Sequence, residues 1–494
     1  MAKRTATRTS LKRELGYLFN PGSVAVIGAS GTFGKWGFNV VGRLLKNRRR
    51  RDIYPINNKE DQILGLKAYK TVLDVPGPVD LAVMTVPLKS LPEAMEQCVQ
   101  KGVKTAIVIS GGLSETGEDG ARVERQVIEI ARRGGIRVVG PNCLGHMDTY
   151  SGICTVPFLP KVKRGEVAVV SQSGNSSQSV FNHALEMGVG VSKFVSSGNE
   201  ADLQFEDYLQ YLAQDRRTKV ILGYVEGLRD GRRFMELAAN ITKEKPVVIL
   251  KAGRSDAGAR AARSHSAALA GSDVVLDAAF KQCGVIRVDE LTELVDVAAA
   301  LLGQPLPRGR RVGVLTMGGG MAVMTSDILR RSGLELPAFT EKTMGILSSM
   351  LSGRWSHGNP VDPAGDFVSY HLLWPMIEDE NVDAIVMVGG VGMTSSFAGW
   401  SGLPDSMKHE VMDFRKAIED AEVVEGVEKT KEMIHKYGKP VLFTTMVWGA
   451  AQRGKVYDRL RREHMFPYPV PEATARVLSH LVEYSEYLGI ARQS

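Results

Sequence analysis

Residues 24–37 read VAVIGASGTFGKWG, and they decide the fold of the amino-terminal part of the chain. The four apolar residues 24–27 predict a short buried strand. Gly28, Gly31 and Gly34 then allow a tight turn and the close approach of a ligand, because glycine has no side chain. A strand, a glycine-rich turn and a helix in this order favour an anion at the helix amino terminus, where backbone N–H groups point outward.

The same alternation of strand and helix extends along the whole chain. Runs of mostly apolar, β-branched residues predict strands that are buried on both faces, and helical patterns separate them. The sequence therefore predicts an α/β protein with doubly wound parallel sheets. The predicted strands cover residues 24–27, 81–86, 106–109, 167–170, 220–225, 247–250, 312–316, 384–388 and 441–445.

Two irregular stretches divide the chain into three predicted units. Residues 145–164 contain two prolines and end the first unit, and the proline-rich stretch 304–309 ends the second. We therefore expect domains at 1–148, 149–304 and 305–494. The second and third units both open with a strand, a small-residue turn and a helix, which suggests an internal repeat.

Composition restricts the class of protein. Of the 494 residues, 44% are apolar and 24% are charged, a mixture typical of soluble globular proteins. No run of about 18 apolar residues predicts a membrane span, and the basic amino terminus lacks the apolar core of a secretory signal, so we expect a cytoplasmic protein. The net charge of +7 is modest, and we favour solvated basic turns over a nucleic-acid surface. The four cysteines show no CxxC spacing and the histidines form no HExxH pair, so neither disulfides nor a metal site is expected.

The first glycine-rich turn differs from a dinucleotide-binding fingerprint. Ser30 stands where the GxGxxG motif has its second glycine. After the second predicted strand, Asn57, Asn58 and Lys59 stand where an NAD site has an acidic residue, and a lysine suits a phosphate better. The turn indicates a nucleotide-like anion, and a packing role for its glycines stays open.

Two further strand ends offer groups for a small anion. Ser171, Ser173 and Gly174 follow a buried strand and precede a helix, which fits either an anion site or ordinary helix capping by serine. Glu226 ends the strand that begins near Val220, where a carboxylate can orient a histidine and stabilise its cation. A solvated loop residue is the alternative for Glu226.

A long segment of small residues contains one candidate nucleophile. Residues 250–273, LKAGRSDAGARAARSHSAALAGSD, hold His265 between Ser264 and Ser266. A histidine can form a covalent phosphoryl intermediate, and so long a loop invites a functional interpretation. A plain surface histidine is the alternative. In the third unit, the turns at 318–320 and 359–362 offer either a phosphate site or packing.

Together these segments resemble the NDP-forming acyl-CoA synthetase family, which includes ADP-forming acetyl-CoA synthetases and is related to succinyl-CoA synthetase. The resemblance extends from about Leu18 to Gly489 and rests on many short matches in the right order. The matches are LFNPGSVAVIGAS, GKWGFNV, IYPINNK, KAYKTV, SETGEDG, GPNCLG, VVSQSGN, SSGNEADL, YVEG, KAGRSDAGARAARSHSAALAGSD, GVIRV, NPVDPAGD and PYPVPEATARVL.

The resemblance implies a CoA-binding Rossmann-like domain followed by two flavodoxin-like domains. By analogy, His265 is the phosphorylated histidine and Glu226 is the acidic partner that orients it. The phosphate-binding residues that the resemblance implies are Ser171, Ser173, Gly174 and Ser264. The residues to which it points for CoA are Gly28, Ser30, Gly31, Thr32, Phe33, Lys59, Val86, Pro87, Ile109, Ser110 and Gly111.

The chemistry that the resemblance implies is reversible. Acyl-CoA and phosphate give an acyl phosphate and free CoA, and the phosphoryl group moves to His265 and then to a nucleoside diphosphate. In this family an ATP-grasp unit binds the Mg-nucleotide, and the three α/β units here already account for the length. The resemblance therefore implies an α-type ligase subunit that needs a separate ATP-grasp β partner, in a hetero-oligomer for which α2β2 is one arrangement.

Departures from the family pattern leave the acyl substrate open. Leu113 stands where the family usually has an aromatic residue, SHSAALAG lacks the common Thr-Gly after the histidine, and the glycines 318–320 replace a more usual Asn-Ala-Gly-Gly. A larger, branched, aromatic or dicarboxylic acid would fit as well as acetate. The alternative functions are a non-catalytic CoA- or acyl-CoA-binding regulatory protein, an NAD-dependent oxidoreductase, and a scaffold that uses the charged stretch 405–439 as an interaction arm.

Overall fold

The computed structural model describes residues 8–160, 162–255, 257–258, 273–365, 370–389, 391, 404, 407, 409–410, 413, 425–445 and 455–491. It comprises two compact units, Met1–Leu294 and Val295–Ser494. The predicted site residues Ser264 and His265 lie outside the described residues, as do parts of the stretch 405–439.

Strands and helices alternate along both units. The strands are β1 (Ser23–Ile27), β2 (Asp52–Ile56), β3 (Gln62–Ile63), β4 (Leu66–Lys67), β5 (Leu81–Met84), β6 (Thr105–Val108), β7 (Arg137–Val139), β8 (His146–Asp148), β9 (Ile153–Cys154), β10 (Arg164–Ser171), β11 (Val191–Ser196), β12 (Val220–Val225), β13 (Val247–Lys251), β14 (Ile286–Val288), β15 (Val312–Thr316), β16 (Ala384–Val388) and β17 (Val441–Thr444). The helices are α1 (Arg8–Phe19), α2 (Trp36–Leu45), α3 (Leu91–Lys101), α4 (Glu118–Arg133), α5 (Gly174–Met187), α6 (Phe205–Ala213), α7 (Gly231–Ile241), α8 (Asp273–Gln282), α9 (Leu291–Gly303), α10 (Gly319–Arg331), α11 (Glu341–Met350), α12 (Leu373–Glu378), α13 (Val427–Tyr437), α14 (Lys455–Arg462) and α15 (Pro471–Tyr487).

The first unit contains a five-stranded parallel sheet in the order β2-β1-β5-β6-β7. Every residue of β1, β5 and β6 is buried, as expected for strands covered on both faces. The chain passes from β1 to β2 on one side and then returns to β5 on the other. The carboxyl ends of β1 and β5 therefore form a topological switch point, where ligands bind in open α/β sheets.

The first unit also contains a seven-stranded sheet in the order β14-β13-β12-β10-β11-β8-β9. Strands β10 to β14 are parallel, and their switch point lies between β10 and β12. Strands β8 and β9 join the edge in antiparallel pairing. Both fall within the stretch 145–164, which the sequence predicts to be irregular. They are not predicted, because strands of two or three residues are too short to show a periodic pattern.

One apolar core continues from the first sheet to the second. It includes Val26 and Val83 from the first sheet, and Val170 and Ile221 from the second, all at most 1% exposed. Helices α1 and α6 also contribute to it, and they contact one another. The two sheets of this unit therefore share one hydrophobic interior.

Polar contacts reinforce the same junction. The guanidinium of Arg137, on β7, donates to Asp202 at 2.9 Å and to Glu14 at 2.8 Å. His146, on β8, is fully buried, and its Nε2 lies 2.7 Å from the carbonyl oxygen of Leu18. Burial lowers the pKa of His146 to about 3, so its ring is neutral at physiological pH.

Among its described residues, the second unit contains a three-stranded parallel sheet in the order β15-β16-β17, and every residue of these strands is buried. The amide of Asn359 accepts from the Val314 N–H at 3.0 Å and donates to the Val312 carbonyl at 2.8 Å. The turn at 359–362 therefore anchors β15, in keeping with the packing alternative. The fold class predicted from the sequence, α/β with parallel sheets, is confirmed. In the described ranges no helix is long and apolar enough to cross a membrane.

Candidate functional site

The predicted residues Gly28, Val86 and Ser110 come together at the carboxyl edge of the first sheet. Gly28 follows β1 with a φ of +90°, and a Cβ atom there would lie 2.8 Å from the Thr85 hydroxyl oxygen and 3.0 Å from Val86 Cγ1. The Ser110 hydroxyl donates to the Val86 carbonyl oxygen at 2.5 Å. Position 28 thus requires glycine, and the ends of β1, β5 and β6 form one edge. Ile109 follows β6 directly, and Pro87 comes three residues after the end of β5.

Helix α2 begins directly against this edge. A Cβ atom at Gly37, in its first turn, would lie 2.1 Å from the Gly28 carbonyl oxygen and 2.8 Å from Ala29 Cα. No side chain can be accommodated between helix and strand end at this point. The amino terminus of α2 is therefore held at the switch point, where its free N–H groups favour an anion.

A carboxylate of the chain itself accepts a hydrogen bond from the backbone N–H in the middle of the first glycine-rich turn. The Gly31 N–H donates to both carboxylate oxygens of Glu60, at 3.0 and 3.1 Å. Asn57 holds this carboxylate from the other side, since its Nδ2 donates to Glu60 Oε1 at 3.3 Å. Glu60 comes directly after the exposed Lys59, one residue beyond the positions 57–59 at which an NAD site would have its acidic residue, and it is not among the residues predicted from the sequence.

Residues 31–36 of this turn and of the following helix start are exposed to solvent, whereas Ser30 is not. The Ser30 side chain is buried, and its hydroxyl oxygen accepts from the Thr32 N–H at 3.1 Å. Phe33 is 84% exposed, with its ring 5.6 Å from that of Phe38, and Trp36 is 43% exposed. An exposed aromatic surface beside an anion-favouring turn suits a ligand that has both a flat ring and phosphates.

Glu115 closes the turn that follows β6. Its Oε1 accepts from the N–H groups of Gly112 at 2.6 Å and Leu113 at 3.1 Å. Asn199, in the loop after β11 of the second sheet, donates to its Oε2 at 2.7 Å. Burial raises the pKa of Glu115, but hydrogen bonds from Asn199 and the backbone outweigh this effect and lower the pKa below its usual value. The predicted Gly111 lies beside this carboxylate, because a Cβ atom added at position 111 would be 3.3 Å from Glu115 Oε1.

The predicted phosphate turn lies at the switch point of the second sheet. The Ser171 hydroxyl donates to the Ser173 carbonyl oxygen at 2.6 Å. The Ser173 hydroxyl oxygen accepts from the Ser176 N–H at 3.3 Å and so caps helix α5, which begins at Gly174. The capping alternative is therefore seen in the structure. It does not exclude an anion, because the first N–H groups of a helix lack partners within the helix.

Gln172 joins this turn to Glu226. Its Oε1 accepts from the N–H groups of Glu226 at 2.5 Å and Gly227 at 3.2 Å, and its Nε2 donates to the Gly227 carbonyl oxygen at 2.9 Å. Glu226 is 6% exposed. The structure thus brings the predicted turn and Glu226 to one edge. The role of Gln172 is not predictable from the sequence, because it depends on the pairing of β10 with β12, which no local pattern reveals.

A second buried carboxyl group lies behind Gln172. Glu200 is 2% exposed, and its Oε1 accepts from the Ser197 hydroxyl at 2.7 Å. Burial raises the pKa of Glu200 to about 7, although hydrogen bonds from Ser197 and Gln172 oppose this shift. Glu200 can therefore hold a proton close to neutral pH.

Two family models match successive parts of the chain. A family model described as a CoA binding domain matches residues 22–149, and one described as a succinyl-CoA ligase like flavodoxin domain matches residues 164–301. Both edges described above fall within these two ranges.

Three relatives extend the likeness to nearly the whole chain. The chain is 37% identical over 478 residues to the α subunit of ADP-forming acetate–CoA ligase II of Pyrococcus furiosus, which covers 96% of this chain and 99% of that protein. It is 35% identical to the ADP-forming 4-hydroxybutyrate–CoA ligase of Nitrosopumilus maritimus, over 95% of this chain and 64% of that one. The solved acetyl-coenzyme A synthetase 1 of Ca. Korarchaeum cryptofilum, in complex with phosphate and ADP, is 30% identical with a TM-score of 0.80, covering 96% of this chain and 98% of that chain.

Proposed function

The chain belongs to the NDP-forming acyl-CoA synthetase family as an α-type subunit, an acid–thiol ligase, and we propose that it reversibly couples acyl-CoA, phosphate and NDP to a carboxylic acid, CoA and NTP. One observation carries the proposal: the phosphate turn 171–174 and Glu226 meet at the switch point of the second sheet. A cytoplasmic location is part of the proposal, and the four free cysteines are compatible with a reducing compartment.

The two edges of the first unit divide the work in this proposal. The domain 1–148 binds CoA along the carboxyl edge of the first sheet, with the turn 28–33 and Lys59 toward its phosphates. The domain 149–304 carries the phosphoryl group, and 305–494 forms a further flavodoxin-like domain. The shared core supports this arrangement, because it fixes both edges within one compact unit.

The proposed reaction proceeds in three transfers. A phosphate oxygen attacks the thioester carbonyl carbon, the carbon–sulfur bond breaks, and the CoA thiolate leaves to give an acyl phosphate. An imidazole nitrogen of His265 then attacks phosphorus, and the carboxylate leaves. A terminal oxygen of NDP finally attacks the phosphohistidine, which restores the free histidine and gives NTP. Glu226 orients His265 and stabilises its cation in this scheme.

The proposal places the nucleotide on a separate subunit. A relative named as an α subunit matches this chain from end to end, which supports a partner. We propose that this partner is an ATP-grasp β subunit that holds the Mg-nucleotide, in a hetero-oligomer such as α2β2. The amino terminus of α5 at the phosphate turn, which favours anions, would hold the phosphoryl group in transit between the subunits.

The acyl substrate in this proposal is a carboxylic acid whose identity is left to a substrate screen. Two relatives are named for acetate and for 4-hydroxybutyrate, so closely similar chains differ in their acids. Leu113, where the family usually has an aromatic residue, is 1% exposed and packs among Val108 and Val127 in the core beneath the first sheet. Its effect on the acid would therefore be indirect, through the turn that Glu115 closes.

Transfer of the γ-phosphoryl group of labelled ATP tests this function. The chain is co-purified with an ATP-grasp partner and compared with His265→Ala and with His435→Ala, which removes an exposed histidine at the end of α13. We expect an acid-labile, base-stable label on the wild type and on His435→Ala, and none on His265→Ala. Calorimetric titration with CoA is measured on all three proteins.

The second candidate function predicts a different result. A regulatory CoA-binding protein would bind CoA in the titration and would remain unlabelled in the presence of the partner. That combination refutes the ligase mechanism and leaves CoA binding at the first sheet as the function of the chain.

A further inference from the structure

Gln172 lies between the predicted residues Ser171 and Ser173, and it connects the loop after β10 to the loop after β12. We infer that Gln172 is a positioning residue that holds Glu226 in the orientation required for phosphoryl transfer. The inference rests on the proposed function, since it assigns a role within the same site. Gln172 is not itself proposed to contact the phosphoryl group.

The geometry of Gln172 is that of an additional strand pair. Strands β10 and β12 are in parallel register up to the pair Ser171 and Tyr224. Beyond that pair, the Gln172 N–H donates to the Tyr224 carbonyl oxygen at 3.1 Å. The side-chain amide then bonds residues 226 and 227 through one acceptor and one donor, as a peptide group would. The backbone at Glu226 is therefore fixed relative to the phosphate turn.

Glutamine is well suited chemically to this place. Its side chain bonds the backbone of Glu226 and lies close enough to Glu200 to lower the pKa of that carboxyl group, and a neutral amide adds no charge beside Glu200. Both halves of the amide are used, because Oε1 accepts from two N–H groups while Nε2 donates to Gly227. An unbranched apolar side chain of similar length would fill the space and lose all of these bonds.

Other charged and titratable groups near the site complete its electrostatics. Arg229 lies close enough to Glu200 to lower its pKa, and Glu206 close enough to raise it. Burial raises the pKa of the Tyr224 phenol, on β12, and the charge of nearby Glu226 raises it further, while a hydrogen bond with Ser176 opposes the shift. Lys251, on β13, is buried and lies close enough to Glu226 for their charges to interact. A negative charge introduced at 172 would thus be added near the carboxyl group of Glu200, with Arg229 as a neighbouring cation.

The test compares Gln172→Met and Gln172→Glu in the holoenzyme with its ATP-grasp partner. The rate of histidine labelling is measured from pH 5.5 to 8.5, with CoA affinity as a separate readout from the first sheet. Gln126→Met, on the exposed side of α4, is the matched control. We expect Gln172→Met to slow labelling by about tenfold or more, as for the loss of hydrogen bonds at a partly buried site, with CoA affinity within twofold of the wild type.

The glutamate variant gives a readout that a general structural role would not produce. A protonated carboxyl group offers one acceptor and one O–H donor, so it reproduces the pattern of the amide, whereas an ionised carboxylate has no donor. We expect its labelling rate relative to the wild type to rise as the pH falls. Labelling of Gln172→Met at the wild-type rate, or equal loss of labelling and CoA binding in both variants at every pH, overturns the inference. An unlabelled wild type instead refutes the proposed function itself.

Discussion

Replacement of Glu60 by glutamine tests whether a carboxylate of the chain competes with the phosphates of CoA. The Gly31 N–H already donates to both oxygens of Glu60, and Asn57 holds the same group. In Glu60→Gln the side-chain carbonyl can still accept from Gly31, so the turn keeps its shape while the negative charge is removed. We expect CoA to bind more tightly to the variant.

The magnitude follows from the repulsion that the variant removes. Two unit charges about 4 Å apart interact by about 1 kcal/mol in water and by about 4 kcal/mol at the effective dielectric constant near a protein surface. Glu60 is half-buried in a turn that faces solvent, which favours the lower part of this range. A gain of about 1–2 kcal/mol corresponds to an affinity for CoA that is about 5- to 30-fold higher.

The assay is calorimetric titration of wild type and variant with CoA, with dephospho-CoA and with pantetheine. The gain is expected to be largest for CoA and absent for pantetheine, which has no phosphate. Asp61→Asn is the matched control, because it also removes one negative charge, at the next residue. The Asp61 carboxylate is exposed and pairs with Lys70 at 2.7 Å. Weaker binding of CoA to Glu60→Gln, or an equal gain in Asp61→Asn, would refute the reasoning.

Three predictions concern stability and are checked by urea unfolding. Gly37→Ala forces a Cβ atom to 2.1 Å from a backbone oxygen and is expected to cost about 1–3 kcal/mol or more, whereas Gly42→Ala in the same helix meets nothing closer than 3.9 Å and is expected to be neutral or stabilising; equal effects would contradict the packing argument. Arg137→Met removes the cation that pairs with Asp202, whose side chain is 18% exposed. We expect the free energy of unfolding to fall by about 2 kcal/mol, less than for a fully buried pair, and an unchanged urea midpoint would show that the ion pair is dispensable. Because the pKa of His146 is lowered in the folded state, the unfolded state binds a proton at higher pH than the folded state does. The stability contributed by the neutral ring is therefore complete above about pH 6.5 and is lost as the pH falls toward 3. Between pH 7 and pH 5 the wild type should lose about 2 kcal/mol more stability than His146→Gln, and an equal loss in both proteins would contradict the lowered pKa.

The strands were predictable because burial on both faces leaves a run of apolar residues in the sequence. The predicted runs at 24–27 and 220–225 are both buried parallel strands, and their carboxyl ends carry the turns that the sequence singled out. Helix caps are equally local, as Ser173 illustrates. Such features depend on residues a few positions apart, so one stretch of sequence contains the whole signal.

Contacts between strand ends were not predictable in the same way. Glu60 binds an amide 29 residues earlier, and Gln172 bonds an N–H group 54 residues later. Asn199 reaches Glu115 from the other sheet of the unit. These pairs are created by the order of strands in the sheets, and a single sequence carries no local pattern for them. The role of His265 stays a prediction from resemblance, because that residue lies outside the described part of the chain.

The core shared by the two sheets makes the stability of each site depend on ligand binding at the other. If both sheets melt in one transition, any molecule bound at the first edge also protects the second against unfolding. A ligand at a hundred times its Kd adds about 2.7 kcal/mol to the free energy of unfolding of everything in that transition. An abundant pool of CoA would then lengthen the lifetime of the phosphate edge against proteolysis without touching it, and a fragment cut at the boundary between the sheets would forfeit that protection.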